Sequence, residues 1–343
     1  MSATYPCLVA DVGGTNARFG WVVAAGAPVA HIAVLPVHQH AGPLAATRAY
    51  LLGLQSSLGS DFAAPRRAAF AVATAVAGDR VDLTNGHWSF SRRELQQGLG
   101  LESLLVLNDF EALALSLPRL QSSQLRSWSL LEAAAGSAKP WQPLRPAKSD
   151  ACTLAVIGPG TGLGVAGVTW VRGDWVPLPG EGGHMTLAPA DDFESELLAY
   201  MRRSFEHVSA ERLLSGIGLP LLYGAVAAVR GQGVAPALSS ESIVERGLAG
   251  GDALCVQTLD VFCALLGGFA GNVALALGAR SGVYIGGGIV PRLGEFFFAS
   301  RFRDRFEAKG RFHAYLNAIP TALITDTLVA LGGAALALEQ EHD

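Results

Sequence analysis

Lysine is scarce in this chain. Its 343 residues include only Lys139, Lys148 and Lys309, and arginine carries the rest of the positive charge. No lysine adjoins a glycine-rich loop, which excludes a P-loop of the G-x-x-x-x-G-K-[ST] type. No stripe of basic residues forms, and the net charge is −4, so nucleic acid is not an expected partner. Cysteine is also sparse. Cys7, Cys152, Cys255 and Cys263 never stand at C-x-x-C spacing, so a structural zinc site has no support. They read instead as buried thiols of a reducing, cytoplasmic compartment. The N-terminus lacks a basic segment followed by an apolar run, so no leader is expected. Charged residues make up only 16% of the chain and hydrophobic ones 50%. That balance excludes wholesale disorder and provides for a large interior, at a length that implies two lobes.

The longest apolar stretch runs from Val261 to Ala279. Asn272 interrupts it and Asp260 borders it, so it reads as a buried helix and no membrane span is expected. Its Gly267 and Gly271 suit close helix packing.

Strands and helices alternate along the chain. Cys7 to Val12, Arg18 to Val23, Val29 to Val37 and Ala68 to Val76 read as strands. Leu44 to Leu54 reads as a helix. Ser91-Arg92-Arg93-Glu94 has the spacing of a capping box and predicts a helix start. Leu104 to Leu107 is a short strand ending at Asn108-Asp109, with a helix following to Leu117. Periodicity fades from Gln121 to Ser149, which reads as a lobe junction or long surface loop. The opening pattern then recurs. Cys152 to Ile157 is a strand, Gly158-Pro159-Gly160-Thr161-Gly162 a glycine loop, and Leu163 to Val171 a second strand. Helices dominate from Phe193 to Ala279. Val283 to Ile285 and Thr321 to Ile324 are late strands, and Leu328 to Glu341 is a terminal helix. The class is therefore α/β.

The two glycine loops are the first chemical signal. Glycine lets backbone N–H groups approach phosphate oxygens closely. Gly162, Gly164 and Gly167 match a dinucleotide fingerprint by spacing, but that fingerprint needs a helix where a strand is predicted. Two phosphate hairpins remain as the reading, Thr15 and Thr161 each adding a hydroxyl. Asp11 stands at the end of the first strand, where a carboxylate can hold Mg²⁺ directly or through water.

These motifs carry a family resemblance. Asp11-x-Gly13-Gly14-Thr15-x-x-Arg18 resembles the first phosphate motif of the actin-like ATPase and sugar kinase superfamily. Gly158-x-Gly160-Thr161-Gly162-Leu163-Gly164 is similar to its second, and Gly286-Gly287-Gly288-Ile289-Val290-Pro291-Arg292 to its adenosine motif. Leu107-Asn108-Asp109-Phe110, Leu178-Pro179-Gly180-Glu181-Gly182-Gly183-His184, Ser209-Ala210-Glu211-Arg212 and Lys309-Gly310-Arg311-Phe312 resemble the bacterial glucokinases in order and spacing. A cysteine-rich zinc motif follows the Glu–Gly–His turn in the related repressor–kinase group, and is missing here.

The resemblance implies a two-lobed actin/hexokinase-like (ribonuclease H-like) α/β fold with an interlobe cleft. The small lobe would hold residues 1–119 and 326–343, the large lobe 120–325, and closure would exclude water. It implies ATP and Mg²⁺ as cofactors, glucose as the substrate, attack by the 6-hydroxyl and a homodimer. Asp109 would be the general base and also bind sugar, with Asn108, Glu181, His184 and Glu211 completing the sugar site. Ala10, Asp11, Val12, Gly13, Gly14 and Thr15 would bind nucleotide, as would Gly160, Thr161, Gly162, Gly286, Gly287 and Gly288. Bland roles are open at several of these residues. Asp109 suits a helix N-cap and Glu211 the first turn of a helix; Thr84-Asn85, after the Asp79 turn, is a further candidate for the sugar side, with a turn role open for Asn85. The rival functions are a kinase for another hexose or an N-acetylhexosamine, and a non-catalytic sugar sensor. Ten residues precede Asp11, too few for the DNA-binding helix-turn-helix that a repressor-type sensor places there.

Overall fold

The computed structural model describes residues 5–83, 86–128, 152–233 and 236–341. In chain order the strands are β1 (Cys7–Val12), β2 (Asn16–Val22), β3 (Ala30–Pro36), β4 (Arg67–Val72), β5 (Arg80–Asp82), β6 (Ser89–Ser91), β7 (Ser103–Asn108), β8 (Leu125–Ser127), β9 (Thr153–Pro159), β10 (Leu163–Val171), β11 (Asp174–Leu178), β12 (Gly282–Ile285) and β13 (Thr321–Ile324). The helices used below are α1 (Pro43–Leu58), α2 (Arg92–Leu99), α3 (Asp109–Ser116), α4 (Asp192–Met201), α5 (Leu219–Val229), α6 (Ser240–Ala249), α7 (Ala253–Leu277), α8 (Phe302–Glu307) and α9 (Val329–Gln340).

The chain divides into two compact units. One comprises residues 1–120, 170–179 and 326–343; the other comprises 121–169 and 180–325. The segment 170–179, read from sequence with the large lobe, lies in the first unit with β11. The first unit is built on a five-stranded sheet in the order β3-β2-β1-β4-β7. β1 and β2 are antiparallel, whereas β4 and β7 run parallel to β1. Every residue of β1, Asp11 included, is buried at the centre of the sheet. Leu8, Phe19, Phe70 and Tyr50 belong to its core. α9 packs on α3 in this unit.

The second unit repeats the scheme. β9 and β10 are antiparallel, and β12 and β13 run parallel to β9. β8 adds antiparallel to β13, so the fading periodicity after Gln121 conceals a strand; the rest of that stretch, 129–149, lies outside the described residues. α7 is the core helix of this unit, packed by α5, α6 and α8. By length and composition it could cross a membrane, yet 67% of its most apolar window is buried inside the protein. A Cβ at Gly267 would fall 2.1 Å from the Phe302 carbonyl oxygen, and one at Gly271 2.5 Å from that of Phe306. The glycine pair thus lets α8 seat directly on α7. All four cysteines are free and buried. Burial pushes the Cys263 thiol up to about 12, so thiolate is scarce at neutral pH.

Candidate active site

In the first unit, Gly13, Gly14 and Thr15 join β1 to β2, and Gly13 N donates to Asn16 O at 3.0 Å. Thr15 is exposed at the tip. Ala10 and Val12 point into the core, so only their backbone can serve a ligand. Asp11 stands opposite Arg18 in the β1–β2 register, and Arg18 Nη1 donates to Asp11 Oδ2 at 2.9 Å. Burial pushes the Asp11 carboxyl above its usual range, with the Arg18 charge and hydrogen bond opposing it. The sequence reading did not foresee this ion pair, although antiparallel pairing of β1 with β2 is what brings together two residues seven apart.

Two strands away, Asn108 closes β7 and α3 begins. Asn108, not Asp109, is the N-cap. Its Oδ1 accepts from Phe110 N at 2.9 Å and from Glu111 N at 3.4 Å, and its Nδ2 donates to Thr74 O at 3.1 Å. Asp109 is the first residue of α3, and its Oδ1 accepts from Phe110 N at 2.9 Å. Thr74 follows Ala73, whose N–H bonds Val12 O at 3.1 Å. The two residues after β4 therefore tie the Asp11 loop to the Asn108–Asp109 pair. These contacts commit the Asn108 carbonyl oxygen and one of its two amide N–H groups. Asn108→Ala should lower the unfolding free energy by about 1 to 2 kcal/mol through the lost cap. Asn108→Ser, which restores a capping oxygen, should recover most of it in urea unfolding.

In the second unit, Gly160, Thr161 and Gly162 join β9 to β10, again as an antiparallel hairpin. β10 is the strand that replaces the helix of a dinucleotide fold, so that fingerprint is a coincidence of spacing. Thr161 is the middle residue of its connection and Thr15 the last of its own, so the two threonines occupy different places. Two further segments close on this hairpin. From one side, Gly286 N donates to Ile157 O at 2.8 Å and Ile289 N to Pro159 O at 3.1 Å. Gly287 adopts φ +76°, and a Cβ there would lie 2.3 Å from Pro159 O; only glycine combines that backbone with that approach.

From the other side come Glu181, His184 and Glu211. Glu181 pairs with Val165 in an isolated bridge. His184 N donates to Glu181 O at 3.0 Å, and Glu211 N to Gly183 O at 2.9 Å. His184 Nε2 lies 4.0 Å from Glu211 Oε1, and Leu163 N donates to Glu211 Oε2 at 2.8 Å. Glu181 and His184 are exposed. The structure thus gathers Glu181, His184, Glu211, Gly160 to Gly162 and Gly286 to Gly288 in one unit. Asp11 to Thr15, Asn108 and Asp109 gather in the other.

Glu211 does not open a helix. Residues 211–218 form successive turns, and α5 begins only at Leu219. Pro220 has no N–H to bond four residues back, and the Gly216 carbonyl instead accepts from Ser240 Oγ. Ser209 Oγ does accept from Arg212 N at 3.2 Å, which is the capping signal without the helix. Thr84 and Asn85 lie outside the described residues. Among those described, no group of three or more His, Cys, Asp or Glu could hold a metal ion.

The glucokinase family model matches residues 8–341. The chain is 48% identical to a glucokinase of Aromatoleum aromaticum over 340 residues, covering 98% of this chain and 96% of that protein. It is 46% identical to a glucokinase of Neisseria meningitidis serogroup C over 337 residues, with 98% and 96% covered. The crystal structure of a glucokinase from an Antarctic psychrotroph superimposes with a TM-score of 0.84 at 36% identity, covering 98% of this chain and 99% of that one. The sequence over nearly its whole length therefore leads to one conclusion: the chain belongs to the glucokinase family.

Proposed function

We propose that this chain transfers the γ-phosphoryl group of ATP to the 6-hydroxyl of glucose, giving glucose 6-phosphate and ADP. The observation that carries this reading is the hydrogen-bonded assembly of a sugar-type turn, Glu181 to His184 with Glu211, on a phosphate-type hairpin. Family membership across residues 8–341 supports it. Glu181 and Glu211 accept bonds from sugar hydroxyls, and His184 donates or accepts as its tautomer allows. Asn108 offers its remaining amide N–H. Asp109 accepts the proton of the attacking hydroxyl as the O–P bond forms. The backbone N–H groups of 13–15 and 160–162 hold phosphate oxygens, and Gly286 to Gly288 let adenosine lie against the main chain.

Asp11 fits Mg²⁺ in one way. Its single carboxylate already accepts from Arg18, so an ion that keeps its waters and leans on substrate phosphates suits it better than a full protein cage. Mg²⁺ bound with ATP would neutralise phosphate charge during transfer. We further assign the chain to the cytoplasm as a homodimer. The free cysteines agree with a reducing compartment, and two-fold dimers are the commonest oligomers.

The test is ADP release with MgATP and a panel of glucose, mannose, fructose, N-acetylglucosamine or no sugar. Glucose should give the highest kcat/KM. Faster turnover of another sugar would replace the substrate, and no sugar-dependent turnover would overturn the reading.

A further inference from the structure

Glu211 makes two kinds of contact that its assignment as a sugar ligand does not explain. Its Oε2 accepts from Leu163 N at 2.8 Å, and that N–H is the first of β10, immediately after the Gly160–Gly162 connection. Its own carbonyl accepts from Ser215 Oγ at 2.7 Å, while Gly216 N donates to Gly160 O at 2.7 Å. The segment from Glu211 to Gly216 therefore grips the phosphate-type connection at both of its ends. Glu211 N is in turn fixed to Gly183 O at 2.9 Å, on the sugar-type turn. No lysine adjoins the hairpin, so phosphate binding there depends on where the backbone N–H groups point.

We propose that Glu211 is a positioning residue for the phosphate hairpin as well as a sugar ligand, one carboxylate oxygen holding Leu163 N–H and the other, on the His184 side, serving a sugar hydroxyl. The inference rests on the proposed sugar role of Glu211 only for its second half. Charge-assisted bonds from a carboxylate to backbone N–H are the strong class of hydrogen bond. A single rigid carboxylate with one oxygen committed also directs its other oxygen, so the same contact orients the sugar acceptor.

Removing the side chain has two opposed effects on nucleotide. The lost anchor loosens the hairpin, whereas the lost negative charge lessens repulsion of phosphate. Two substitutions separate them. Glu211→Gln removes the charge and retains an acceptor for Leu163 N–H; Glu211→Ala removes both. The probe is the non-hydrolysable analogue AMPPNP with Mg²⁺, titrated calorimetrically without sugar, so no turnover enters the readout. Glu211→Ala should weaken AMPPNP about tenfold or more, and Glu211→Gln should stay within about threefold of wild type or bind tighter. Gly162→Ala supplies an independent route, because its new Cβ would stand 2.4 Å from Glu211 Oε2 and push the carboxylate off the hairpin with its charge intact. That variant should also lose about tenfold. Equal AMPPNP affinity in the Ala and Gln variants, or wild-type affinity in Gly162→Ala, would overturn the positioning role. The glucose KM is read separately. A rise of about tenfold in both Glu211 variants supports the sugar half, and an unmoved KM removes that half while the nucleotide comparison still decides the other.

Discussion

Asp109→Asn should lower kcat by about a thousandfold, the middle of the range for a positioned general base. That loss corresponds to about 4 kcal/mol of transition-state stabilisation. The size follows from what the substitution leaves in place. Asp109 is the first residue of α3, and its Oδ1 accepts from Phe110 N at 2.9 Å. An amide oxygen can accept the same bond, so the helix start survives. The cap belongs to Asn108, which the variant does not touch. The unfolding free energy should therefore fall by no more than the roughly 0.3 to 1 kcal/mol that a carboxylate contributes at a helix N-terminus. What the amide lacks is the basicity to take a proton from the 6-hydroxyl. KM for ATP should stay within about threefold, because an interaction made only in the transition state leaves ground-state binding alone. Steady-state kinetics on both substrates, with thermal unfolding alongside, measures this. A kcat within tenfold of wild type would remove Asp109 as the base, and a large fall in the unfolding midpoint would instead make it a structural residue.

The separation of Asn108 from Asp109 marks how far local pattern reaches. The helix start at Ser91 was legible, and Ser91 Oγ accepts from Glu94 N at 3.1 Å as its N-cap. Both hairpins were legible too, because continuous apolar runs flanking short glycine connections admit few other structures. At Asn108-Asp109 two adjacent residues suit the same cap, and the choice is made by Thr74, just beyond the neighbouring strand, whose carbonyl accepts a hydrogen bond from Asn108 Nδ2. No reading of the local run contains that partner. Glu211 failed for a related reason. Ser209 and Arg212 carry a helix-start signal, but Gly216 is drawn off to Gly160 and Pro220 interrupts the ladder. β8 and the short pair β5–β6 are too brief to show a period of two. The contact of Glu211 with Leu163 N was not legible, because it depends on tertiary geometry between residues 48 apart.

Gly332 and Gly333, neighbours in α9, should respond in opposite directions to the same methyl group. A Cβ at Gly333 would fall 1.7 Å from the Ala112 carbonyl oxygen of α3 and 3.0 Å from Ser116 N. The obstacle is backbone, so no side-chain rotation can relieve it, and the two helices must part by more than an ångström. Overpacking of this kind costs about 3 kcal/mol or more. Gly332 has no atom within 4 Å of the equivalent position. There the methyl only restricts the unfolded chain and improves helix propensity, which gains about 0.5 to 1 kcal/mol. The functional consequence follows from which helix is displaced. α3 carries Asp109 at its first position and Asn108 at its cap. A shift of about an ångström in a catalytic group costs on the order of a hundredfold in rate. Gly333→Ala should accordingly lose both stability and about two decades of kcat while KM for ATP changes little, and Gly332→Ala should be slightly more stable and fully active. Urea unfolding with parallel kinetics on the pair decides the matter. If the two variants behave alike, the close approach of α9 to α3 does not set the position of Asp109, because the same methyl one residue away on the same helix lacks that contact.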